Sequence, residues 1–135
     1  MAMIRLAEAC ENIRAAHAYG LLTAQQTDLR LRVCVYDGRS LIPDAPYCGC
    51  AIGVTWAPLV SARTIDGFFQ NDRAIKILVT QGVVEVPVTE LNAIDRLQTS
   101  HDAWCNAPPK SRDAFHYEKQ FLADLARIEL LHNLL

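Results

Sequence analysis

The sequence predicts an α+β fold, a short antiparallel β-hairpin or sheet packed by three or four α-helices in a single domain spanning residues 1–135. Three observations predict it. Residues 29–36 alternate strictly, with Leu29, Leu31, Val33 and Val35 on one face and Arg30, Arg32, Cys34 and Tyr36 on the other, which is the period of a strand. Three other stretches, near residues 3–19, 90–104 and 112–133, space their apolar side chains by three and four, the period of a helix. A chain of 135 residues with 51% hydrophobic composition can fill one core and is short for two.

In chain order, Leu6, Ala9, Cys10, Ile13 and Ala16 form the stripe of the first helix. Gly20 follows its last turn, where a residue free to take positive φ stops a helix. His17 lies beside the stripe and reads as a packing residue. Thr23 and Gln26 have capping-box spacing and mark a short helical turn. The strand over residues 29–36 ends at the turn pair Asp37-Gly38. Its return strand is expected at residues 47–50, because Pro43 and Pro46 keep the segment before it irregular. Residues 72–80 read as a helix or as a strand; the favoured reading is a helix, then Gly82, then a short strand at residues 83–86.

In the last third, Thr89 is the expected cap of a helix with the stripe Leu91, Ile94, Leu97, His101 and Trp104, ended by Asn106-Ala107-Pro108-Pro109. Ser111 is the expected cap of the final helix, whose stripe is Phe121, Leu125, Ile128, Leu131 and Leu135, with His132 on the same side. Leu130 and Leu134 project elsewhere. A homodimer through the C-terminal helix is the expected way to cover them, and fraying of the last few residues is the alternative.

The formal net charge of −2, from 13 basic and 15 acidic residues in short mixed runs, gives no electrostatic footprint for nucleic acid or anionic lipid. No apolar run reaches membrane-spanning length, and the first residues lack the apolar core and cleavage site of a secretory signal. The expected location is the cytoplasm, where the five cysteines are thiols rather than a disulfide framework. Neither G-x-x-x-x-G-K nor G-x-G-x-x-G occurs, and no cofactor is expected.

Two constellations could carry chemistry. Cys48 and Cys50 lie two apart and His101 and Cys105 four apart, so four soft ligands could hold a tetrahedral zinc ion if that helix packs on the hairpin. The alternative is buried thiols and a hydrogen-bonded histidine. Cys50 could also act as a nucleophile, with His101 as base and Asp102 or Asp44 as orienting carboxylate. Against that, a cysteine between Gly49 and Ala51 suits close packing, and adjacent helical residues such as His101 and Asp102 point about 100° apart. Trp56 and Trp104 read as core residues or as an aromatic wall for a flat ligand.

Cys34-Val35-Tyr36 before Asp37-Gly38, then Cys50-Ala51-Ile52-Gly53, Leu97-Gln98 and His101-Asp102 together resemble a loose group of small uncharacterised proteins encoded by phages, prophages and other mobile elements. The resemblance covers roughly residues 33–104 and departs from the group in the long segment between Tyr36 and Cys50, where Ile42-Pro43-Asp44 precedes the Cys-Ala-Ile-Gly turn. It implies a mobile-element origin and an α+β architecture, and no activity. The expected function is an intracellular binding or interaction module for an unidentified protein or small molecule. The alternative is a small hydrolase using Cys50 and His101.

Overall fold

Ser111 accepts a hydrogen bond from the Ala114 amide at 3.0 Å and caps the final helix, as its place ahead of the longest apolar stripe predicts. The computed structural model describes residues 2–25, 51, 79–80, 82 and 84–134. Their elements are β1 (Ala2–Met3), α1 (Leu6–Ala18), a 3₁₀ turn (Thr23–Gln25), β2 (Val84–Glu85), α2 (Val88–Asn106) and α3 (Arg112–Leu131).

The ends of α1 and α3 share one stop. Gly20 takes φ +70°, and the amides of Gly20 and Leu21 turn back to the carbonyls of His17 and Ala16 at 3.2 and 2.8 Å. After α3, Asn133 takes φ +55° and the amides of Asn133 and Leu134 turn back to Leu130 and Glu129 at 3.3 and 2.8 Å.

Helices α2 and α3 form an antiparallel hairpin, with Trp104 beside Phe121 near the elbow and Ser100 bonded to Asp124 further along. Helix α1 runs parallel to α2, its Arg5 bonded to Glu90, and antiparallel to α3, its Arg14 bonded to Glu129 and its His17 to Glu118. Phe121, Ile13, Ile94, Leu97 and Leu125 are completely enclosed where the three stripes meet, and the buried apolar residues form one cluster.

The α+β expectation is corrected. Among the described residues three helices carry most of the core, and the strands β1 and β2 are two residues long, paired in parallel with Ala2 opposite Val84 and Met3 opposite Glu85. A ladder two residues long has no face for helices to pack on, so the apolar stripes pack on one another instead. The expected hairpin, residues 29–36 and 47–50, lies outside the described residues. Helix α1 starts at Leu6 rather than near residue 3, because Ala2 and Met3 are drawn into pairing with β2. Pro87, not Thr89, is the cap of α2, and no side chain bonds there.

Further along, Val79 and Thr80 are helical, Gly82 takes φ +74° and β2 follows, in the favoured order of helix, glycine and strand. At the far end Leu131 is 71% exposed and His132 is exposed, whereas Leu134 packs against the core. The stop at Asn133 reverses the chain and brings in Leu134 rather than Leu131. No helix among the described residues is long and apolar enough to cross a membrane.

Candidate functional site

Helix α2 carries His101, Trp104 and Cys105 on its buried face. The His101 ring is fully buried, and its Nε2 accepts the Ala24 amide at 3.3 Å. A nitrogen that accepts carries no proton, so the ring proton is on Nδ1. Nδ1 has no hydrogen-bond partner and lies 3.7 Å from Asp102 Oδ1, an oxygen that takes the Gln98 side-chain amide at 2.7 Å. As placed, the ring has no free lone pair for a thiol or a metal.

Cys105 is a buried thiol one turn beyond His101. Cys48, Cys50 and Asp44 lie outside the described residues; Ala51, next to Cys50, is buried in the core. Among the described residues no three His, Cys, Asp or Glu side chains are placed to hold a metal ion. Asp102 therefore meets His101 without a hydrogen bond, and the structure brings together three of the expected site residues, His101, Asp102 and Cys105, on a single helix.

The Trp104 indole is held between rings, with His17 at 6.1 Å, His101 at 6.2 Å and Phe121 at 5.7 Å between centroids. Its edge contributes to a cleft of about 660 Å³ between the Thr23–Gln25 turn and the elbow of α2 and α3. Gln25 of the turn and Lys110, Arg112, Phe115 and Glu118 of the elbow and α3 line it. These polar groups differ in commitment. Gln25 donates to the His17 carbonyl at 2.9 Å and accepts the Leu22 amide at 3.1 Å, and Glu118 bonds His17 at 3.2 Å.

The cations elsewhere are engaged: Arg5, Arg14, Arg96 and Arg127 each bond a carboxylate, and Lys119 lies 4.3 Å from the centre of the Phe115 ring. Lys110 and Arg112 have no such partner among the described residues. Sequence reasoning singles out Trp104 but misses Lys110, Arg112, Phe115 and Glu118. The available signal is the cap itself, because Lys110-Ser111-Arg112 follows Pro108-Pro109 and fixes two cations at the helix elbow.

Compared with protein-family models, with curated proteins and with solved structures, the chain matches none.

Proposed function

We propose that the protein is a binding module that takes a small anionic ligand with a flat apolar body in the cleft at the elbow of α2 and α3. One observation carries the reading. The two unpaired cations among the described residues, Lys110 and Arg112, line the same cleft as Trp104 and Phe115. A cavity of this size suits a small molecule, and cations on an apolar floor select for charge as well as shape.

The test is titration of benzenesulfonate, with benzyl alcohol as the uncharged control, into isotope-labelled protein followed by NMR. Shifts at Lys110, Arg112 and the Trp104 indole are expected, weakening as salt is added. A Lys110→Ala, Arg112→Ala double variant should bind at least about tenfold more weakly. Equal binding of the alcohol, or shifts confined to other residues, would overturn the reading.

Three further parts of the proposal rest on other features. Self-association through the end of α3 is supported by Leu130 and Leu131, 66% and 71% exposed. A cytoplasmic location is supported by Cys10 and Cys105, which are buried thiols. The mobile-element origin rests on the motif resemblance alone, and phage or integrase genes beside the coding sequence are the check.

A further inference from the structure

Ala24 and Gln25 of the Thr23–Gln25 turn line the cleft together with Lys110 and Arg112, and this turn meets α2 through the Ala24 amide and His101 Nε2. That contact exists in only one protonation state. Neutral imidazole can accept the amide; imidazolium carries a proton on each nitrogen and faces the Ala24 N–H donor to donor. The ring is fully buried, so a charge placed on it has no water unless the turn moves.

Each element packed on the ring brings its own groups to it. On α2 itself, Asp102 lies 3.7 Å from Nδ1 and would attract a charged ring, while Cys105 is one turn away. From α1, His17 lies across Trp104 and is bonded to Glu118 of α3. From α3, the Phe121 ring meets the imidazole edge-on at 6.1 Å, and Asp124 is committed to Ser100, Arg96 and Arg127. The 3₁₀ turn brings Thr23, Ala24 and Gln25, none of which titrates. Among the described residues, then, the nearest charge to His101 is a carboxylate on its proton-bearing side, and a backbone donor faces the other side.

We infer that His101 is a proton-dependent latch on the cleft: neutral, it seats the Thr23–Gln25 turn; protonated, it releases Ala24, and the turn moves away from Lys110 and Arg112. The latch deepens the proposed binding role, since it regulates the same cleft, but it is defined by a backbone contact and can be tested without ligand. The expected consequence for binding is weaker capture of an anion as the pH falls, opposite to the trend that protonating a basic site ordinarily gives.

The experiment is an NMR pH titration of the full-length protein, following the His101 ring nitrogens and the Ala24 amide. At neutral pH the Nδ1–H tautomer is expected. As Nε2 gains a proton, the Ala24 amide should lose its hydrogen-bonded shift with the same midpoint, while the amides of Leu97 and Phe121 stay in place. An Nε2 that stays unprotonated until the whole protein unfolds, or an Ala24 amide indifferent to the ring, would overturn the latch. In His101→Gln the side-chain carbonyl can accept the Ala24 amide and cannot take up a proton, so the Ala24 step should vanish; a step that persists would also overturn it. Should that variant fail to fold, the wild-type titration decides alone. Benzenesulfonate, whose charge is constant over this range, separates the two claims: a coupled titration without sulfonate binding sinks the cleft reading and leaves the latch, and pH-independent sulfonate binding with an unmoved Ala24 does the reverse.

Discussion

Glu90, in the first turn of α2, accepts the backbone amide of Leu6, the first residue of α1, and the guanidinium of Arg5 at 2.9 Å. One carboxylate thus caps α1 from a position 84 residues away and ties the starts of two parallel helices together. Arg5, the cap residue by position, forms no side-chain cap bond of its own.

Burial pushes the Glu90 carboxyl up, but the Arg5 hydrogen bond, the Leu6 amide and the charges of Arg5 and His132 outweigh it and hold the group below the usual carboxylate range. A carboxyl held low in the folded state contributes stability that is complete above its unfolded value and is lost as pH falls through the folded one. Glu90→Gln should therefore cost about 1–2 kcal/mol at pH 7. The gap to wild type should narrow below about pH 4. Urea unfolding at pH 7 and in acid reads both; a gap of equal size in acid would assign the loss to shape rather than charge.

Asp124 is 2% exposed and joins the two arms of the hairpin, accepting the Ser100 hydroxyl, Arg96 at 3.3 Å and Arg127 at 3.3 Å. Asp124→Ala leaves a buried hydroxyl donor without its acceptor and should cost about 2–3 kcal/mol. Ser100→Ala should cost about 1 kcal/mol, and the double variant less than the sum of the two. Strict additivity in denaturant unfolding would show that the pair is not coupled.

Cys10 lies against the Arg14–Glu129 pair, and burial, assisted by the Glu129 charge and opposed by Arg14, pushes its thiol from 9.0 up to about 11. Below pH 9 the group is the neutral thiol, so Cys10 should alkylate more slowly than an exposed cysteine at pH 7.5. A raised value in the folded state gives stability that is complete below the unfolded value and is lost as pH rises toward the folded one. Cys10→Ala should flatten the alkaline decline of stability above pH 9; an unchanged decline would assign it to other groups.

Leu130 and Leu131 stand exposed side by side at the end of α3. If this end pairs with a second copy, light scattering across a dilution series should show a dimer that a Leu130→Glu, Leu131→Glu variant abolishes. A wild-type protein that stays monomeric at high concentration would remove self-association from the proposal, and a variant that remains dimeric would move the contact elsewhere.

The helices were legible where local chemistry decides. Gly20 stops α1, Ser111 starts α3, and Phe121, Leu125 and Ile128 keep one face. The fold class was not, because the alternation over residues 29–36 outweighed three helical stripes whose mutual packing is a tertiary fact. Asp124 and Glu129 read as solvent residues by hydropathy, and partners on other helices, Ser100 and Arg96 for Asp124 and Arg14 for Glu129, help to make them interior. The same limit hid half of the cleft: Trp104 announces itself by size, whereas Lys110 and Arg112 matter through having no partner among the described residues, which no local pattern records. His101 could be placed on the buried face of its helix, but not the Ala24 amide that occupies its acceptor nitrogen.

The division between local and distant contacts also bears on synthesis. The α2–α3 hairpin closes through residues close in the chain, so it can form as soon as it emerges. Helix α1 is made first, yet its partner Glu129 comes 115 residues after Arg14. At roughly 5–20 residues per second that delay is on the order of ten seconds. For that interval the face bearing Ala9, Cys10, Ile13 and Ala16 leaves the ribosome without the helices that cover it in the finished fold, which makes α1 the natural client segment for a chaperone during translation.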